Sequence, residues 1–97
     1  MINAIIIDEK DSVAVAIEPI TKGSEVSYKL KGLVKTVLTL EEIQIYHKIA
    51  IKEVKIGEPV VKYGQHIGIA AKDIKVGEHV HVHNVESHRE NLEEELI

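Results

Sequence analysis

Apolar residues along this chain fall in short runs separated by polar turns. Asn3 to Ile7 is one such run, Asp8-Glu9-Lys10-Asp11-Ser12 a polar cluster, and Val13 to Ile17 the next run. Two short apolar runs around a polar turn predict a β-hairpin. Pro19 ends the second strand or sits on an edge, because it has no amide to give to a ladder. From Glu25 to Leu40 apolar and polar residues roughly alternate, with Gly32 marking a bulge or a tight bend. Thr39-Leu40-Glu41-Glu42 carries the S/T-x-x-E spacing of a capping box, which allows one or two helical turns before His47. Strands resume at Ile49 to Ile51, after Glu58-Pro59, at Ile67 to Ala70 and from His79 to Val85, and Tyr63-Gly64-Gln65 reads as a tight turn with Tyr63 half-buried. Ser87-His88-Arg89-Glu90 is a second capping box, and Asn91 to Ile97 reads as a short acidic helix or a frayed tail.

A repeated motif underlies this pattern. Ala16 to Gly23, Ala50 to Gly57 and Ala70 to Gly77 share one Ala-to-Gly spacing, and a strand-like run follows each Gly. The copies start 34 and 20 residues apart, so they do not form an evenly spaced solenoid. In each, Ala marks a place where two layers approach closely. Ile20, Val54 and Ile74 are core anchors, and Gly makes the turn into the next strand. Close-spaced short strands with Gly turns predict an all-β domain over residues 1–86, followed by an acidic tail over 87–97.

Composition sharpens the picture. The chain has 97 residues, no Cys, no Phe and no Trp. One domain is the upper bound at this length, and a core of Ile and Val favours strands. Without Cys there are no disulfides and no thiolate zinc site, and a secreted mini-protein is not expected. No signal peptide and no long apolar span is read, so a cytoplasmic location without a membrane partner is the expectation. The net charge of −4, with scattered lysines and only three tyrosines, lacks the basic stripe and aromatics that nucleic acid requires.

Candidate chemistry concentrates in His79-Val80-His81-Val82-His83-Asn84. On a strand His79, His81 and His83 share one face, spaced by about 7 Å, while Val80, Val82 and Val85 supply core contacts. Such imidazoles could ligate one metal, or combine a ligand with an acid/base; the alternative is a solvated face that happens to be rich in His. His47-Lys48 could bind a carboxylate, with Lys48 as counter-charge, or be an exposed polar pair. His66 and His88 read as surface residues. There is no nucleophile elbow and no phosphate-binding Gly-rich loop. A chain this small lacks walls to enclose a polar substrate, so any catalytic role is expected in a site completed by another chain.

Ala70-Ala71-Lys72-Asp73-Ile74-Lys75-Val76-Gly77-Glu78-His79-Val80 resembles the repeat unit of the SAF domain, a β-clip fold. His47-Lys48-Ile49-Ala50, then Ile56 to Gly64, Ile67 to Ala70 and Asp73 to Asn84, resemble in that order the small N-terminal module of the altronate/galactarate dehydratase family. The resemblance is strongest from His47 to Asn84 and loose from Val26 to Tyr46. In the middle copy Val54 takes the anchor place. The resemblance implies a small all-β, β-clip domain with a short C-terminal helix or tail. It further implies the non-autonomous small subunit of a metal-dependent hydro-lyase acting on a sugar acid, with a large catalytic subunit as partner and Fe²⁺ or Mn²⁺ as metal, held largely by that partner. A homo-oligomer is compatible with it. His79, His81 and His83 would be metal ligands, His81 and His83 catalytic, and His47, Lys48 and Asn84 substrate-binding. The sulfolactate sulfo-lyase small subunit is similar too. Two other readings stand beside these: a non-catalytic SAF-type binding module, and a lipoyl- or biotinyl-type carrier with Lys72 as the modified residue.

Overall fold

The structure, a computed structural model, describes residues 1–86. Among these residues nine short strands form in chain order: β1 (Ala4–Ile5), β2 (Val13–Ala16), β3 (Glu25–Leu30), β4 (Leu33–Leu38), β5 (Lys48–Ala50), β6 (Pro59–Lys62), β7 (Gln65–Ala70), β8 (His79–Val80) and β9 (Val85–Glu86). They build a four-stranded sheet of order β1-β2-β5-β8, a β3-β4 pair and a three-stranded sheet of order β6-β7-β9. All pairings are antiparallel. The domain is all-β as expected, and the β1–β2 hairpin is the one read from the two apolar runs. Among the described residues no helix is long and apolar enough to cross a membrane. The second capping box and the acidic tail lie outside the described residues.

The helical turns expected after Thr39 are absent. Thr39 to Tyr46 is a fourth copy of the repeated motif, with Thr in the Ala place, Ile43 as the anchor and Tyr46 in the Gly place. The anchors pair off through reciprocal backbone hydrogen bonds: Ile20 with Ile43, and Val54 with Ile74. In every copy the residue at the Gly place donates to the residue at the Ala place of another copy. Gly23 bonds Thr39 O, Tyr46 bonds Ala16 O, Gly57 bonds Ala70 O and Gly77 bonds Ala50 O, at 2.7–3.0 Å. Each copy closes the same four-residue turn, from Thr21 to Ser24, Gln44 to His47, Lys55 to Glu58 and Lys75 to Glu78. The third residue of each turn has positive φ: +83° at Gly23, +68° at Tyr46, +86° at Gly57 and +94° at Gly77. Positive φ at that place is what a type II turn requires, and Gly takes it without steric cost. Tyr46 takes it at some cost, which is why the fourth copy is silent in a search for Gly. The Thr39 hydroxyl, which a capping box would give to a helix start, bonds Glu41 O and Gly77 O instead.

The fold is therefore two similar halves. The Ala16 copy and the Thr39 copy flank the β3–β4 hairpin, and the Ala50 and Ala70 copies flank β6–β7. Each hairpin turns through two residues of positive φ, Lys31-Gly32 and Tyr63-Gly64, matching strand twist as I′ turns do. Each half has its own core: Ile20, Val26 and Ile43 with Ile49 in the first, Val54, Val60 and Ile74 with Val80 in the second. β2 and β5 pair side by side between them. A buried carboxylate stitches the halves together. Asp11 accepts the amides of Ile7 and Asp8 from its own turn and that of Gly64 from the β6–β7 turn, at 3.0, 3.1 and 2.7 Å.

Candidate metal and substrate site

The strand expected from His79 to Val85 stops at Val80. Residues 81–84 form a turn instead, and Val85 starts β9. Asn84 causes the break. Its side chain is fully buried, its Oδ1 accepts the His81 amide and its Nδ2 donates to His79 O, each at 2.9 Å. The Asn84 amide adds a bond to His81 O at 3.1 Å. An Asn side chain satisfying backbone groups three and five residues away competes directly with a strand ladder. Val82 is consequently 81% exposed and does not supply the core contact expected of it.

The histidines still gather, by a route that strand alternation does not provide. β5 pairs with β8 in the register Lys48↔Val80 and Ile49↔His79. One further step brings His47 opposite His81. The rings of His47 and His81 stack with centroids 4.6 Å apart, His47 and His79 at 5.1 Å, and His79 and His81 at 5.4 Å. His47 Nδ1 lies 2.9 Å from His79 Nε2, a hydrogen bond between rings. His83 stands at the margin, exposed, its ring tilted and 5.4 Å from that of His79. Glu41, from the fourth copy, accepts the His79 amide at 2.9 Å and so fixes the start of β8.

His47, His79 and His81 each present a ring nitrogen, and the three lie within 4.8 Å of one another. Imidazole nitrogens bind a divalent ion at about 2.0–2.1 Å, so ligands of one ion stand about 3–4 Å apart. The trio fits that spread with small adjustment. Electrostatics favour ligation as well. Burial, then the charges of His47, His83 and His81, lowers the His79 pKa, against a weaker pull from Glu41. Burial, then His47, Lys48 and His83, lowers that of His81. Both rings are held neutral at pH 7, each with one bare nitrogen to offer. A set of three imidazoles suits Fe²⁺ better than Mn²⁺, which prefers oxygen donors.

Lys48 is half-buried next to His47, and burial, then the charge of Lys62, lowers its pKa. Its side chain borders a cavity of about 350 Å³ shared with Lys62, Ile67, His81, Val82 and Val85. Of the residues singled out from sequence, His47, His79, His81 and Lys48 thus come together, with His83 at the edge. Asn84 sits beneath them with both polar ends occupied by backbone. Glu41 and Lys62 escaped sequence reading. Aligning Thr39 to Tyr46 on the anchor Ile43, not on Gly, would have found Glu41. Lys72 lies in a bend after β7, not at a hairpin tip, which removes the geometric basis of a carrier reading.

With this geometry in place, the relatives are informative. Residues 2–88 match the altronate/galactarate dehydratase SAF domain. The chain is 34% identical over 87 residues to altronate dehydratase of Bacillus subtilis, covering 90% of this chain and 17% of that protein. It is 37% identical over 84 residues to altronate dehydratase of Escherichia coli, covering 87% and 16%. It is also 37% identical over 94 residues to (2R)-sulfolactate sulfo-lyase subunit alpha of Chromohalobacter salexigens, covering 91% of this chain and 97% of that subunit. The chain therefore spans about a sixth of the altronate dehydratases it matches and nearly all of the sulfo-lyase subunit.

Proposed function

The chain belongs to the altronate/galactarate dehydratase SAF domain family, and from that premise we propose that it is the small partner in a metal-dependent lyase. The lyase eliminates a group β to the carboxylate of a 2-hydroxy acid, and a larger catalytic subunit completes its site. Sugar-acid dehydration of the altronate or galactarate type is the leading reaction; loss of sulfite from a 3-sulfo-2-hydroxy acid is the second, supported by similarity to the sulfo-lyase alpha subunit. The observation that carries the reading is the convergence of His47, His79 and His81 on one point at the rim of the β5–β8 pair.

In either reaction the α-proton leaves, its electron pair forms the carbon–carbon double bond, and hydroxide or sulfite departs from the β-carbon. The enol then takes up a proton to become a ketone. A bound Fe²⁺ would act as a Lewis acid toward the substrate oxygens. His47, His79 and His81 would hold it. His83, outside the trio and exposed, is free to carry a proton at a ring nitrogen. Lys48 supplies a positive charge for an anionic group of the substrate, and Asn84 and Glu41 hold the backbone that aims His79 and His81.

The test is purification of the tagged chain from its native cells. A stoichiometric large partner, bound iron and turnover of a sugar acid or of 3-sulfolactate are expected, with both iron and turnover reduced in His79→Ala. A chain that elutes alone and metal-free, with no lyase activity in any fraction containing it, would overturn the reading.

A further inference from the structure

Lys48 and Lys62 come from different sheets, β5 and β6, and meet at one cavity. Lys48 is half-buried there, and Lys62 borders it from the other side, its Nζ also 5.3 Å from the centre of the neighbouring Tyr63 ring. The ion pairs among the described residues, Lys31–Glu9 and Lys55–Glu53, lie on exposed faces elsewhere. Among the described residues no carboxylate borders this cavity or pairs with either lysine. Two cationic side chains bordering one cavity repel each other, and an anion bound between them would turn that repulsion into two charge-assisted hydrogen bonds.

The remaining walls are Ile67, Val82 and Val85, with His81 at the border toward the histidine trio. Such walls give no partners to a chain of hydroxyls, so this cavity favours the second of the two reactions above, on a short 3-sulfo-2-hydroxy acid, over dehydration of a sugar acid. They suit a short ligand whose far end is itself charged. His81 belongs to both the trio and the cavity, so a ligand spanning only a few bonds touches both.

We propose that Lys48 and Lys62 form a subsite for the second anionic group of a short, dianionic 2-hydroxy acid whose hydroxy-acid end lies at His47, His79 and His81. The inference rests on the lyase reading for the orientation of the ligand, and Lys62 becomes a residue that sets substrate charge. The anionic group is a carboxylate or a sulfonate, since both offer oxygens to the same two donors.

The test uses the purified chain without metal, followed by amide NMR during titration with malate, a 2-hydroxy dicarboxylate, and with lactate, which shares the head group but lacks the second anion. At low salt malate is expected to bind about tenfold more tightly than lactate. Its shifts should centre on Lys48, Lys62, Val82 and Val85, and sulfate should compete. Lys62→Gln should bring malate to within about twofold of lactate, while Lys22→Gln, a change of equal charge on an exposed turn, should leave the preference intact. Dispersed amide spectra verify that the variants fold. Equal binding of malate and lactate by the unaltered chain, or a preference that survives Lys62→Gln, would overturn the subsite. Neither metal nor turnover enters this readout, so the outcomes separate. A Lys62-dependent preference in a chain without any lyase partner keeps the subsite and removes the lyase. An active lyase without that preference does the reverse.

Discussion

Gly77→Ala and Gly57→Ala are the same change at the same place in two copies of one motif, and the structure predicts very different costs. Both residues have positive φ, +94° and +86°. Forcing an L side chain there costs about 1–2 kcal/mol, partly offset by about 0.4–1 kcal/mol because Ala restricts the unfolded chain. At Gly57 nothing lies within 4 Å of the new Cβ, so the net cost is about 1 kcal/mol. At Gly77 the Cβ would sit 2.3 Å from Leu38 O, 3.1 Å from Leu40 Cγ and 3.3 Å from Leu40 N. That backbone cannot step aside freely, because Leu40 N bonds Gly77 O at 2.8 Å and Gly77 N bonds Ala50 O at 2.8 Å. Relieving the clash adds about 1–3 kcal/mol of overpacking and about 1 kcal/mol for a stretched hydrogen bond. The expected total is about 3–5 kcal/mol, which for a domain of this size lowers Tm by roughly 15–30 °C, against about 4–8 °C for Gly57→Ala. Urea and thermal unfolding followed by circular dichroism measure both. Equal midpoints for the two variants would refute the close crossing of the β4 end over the last copy, and with it the route by which Glu41 reaches His79.

Three other outcomes follow from particular contacts. Tyr46→Gly should raise stability by up to about 1 kcal/mol, measured by urea unfolding, because the ring is 72% exposed while the backbone sits at φ +68°; a loss of stability would remove Tyr46 from the Gly place of a fourth copy. Asn84→Ala should weaken binding of Zn²⁺, used as a calorimetric probe, by about tenfold or more, since the side chain that aims His79 and His81 is gone; unchanged affinity would separate the turn from the metal site. Acid should destabilise the chain in two stages. His79 and His81 have pKa values below the ordinary one, so the unfolded state takes up protons first and stability falls as pH drops below about 6.5. Burial pushes the Asp11 carboxyl up, but the amides of Ile7, Gly64, Asp8 and Tyr63 outweigh it and hold the pKa below its ordinary value. Its contribution is present above about pH 4 and disappears as pH falls through the folded value, and Asp11→Asn should flatten that second stage while costing about 1–3 kcal/mol at pH 7.

The chain's local rules were legible without coordinates. Alternation and turn residues located most of the strands, because a strand's period and a turn's φ depend only on neighbours a few residues apart. Three copies of the motif announced themselves through Ala and Gly, residues whose small size and free φ the motif demands. The fourth did not, since Thr39 and Tyr46 meet the same backbone needs with different side chains. The length of the histidine strand was misread for a related reason: Asn84 ends it by bonding backwards, and alternation carries no sign of that. The histidine cluster depended on more. His47 reaches His79 and His81 only because β5 pairs with β8 in one register, and Lys62 meets Lys48 only because two sheets share a cavity. Such meetings join residues far apart along the chain, and they are fixed by which strands find each other once the two cores form. Local patterning set most of the elements and revealed the family; which side chains face one another followed from the pairing of strands distant in sequence.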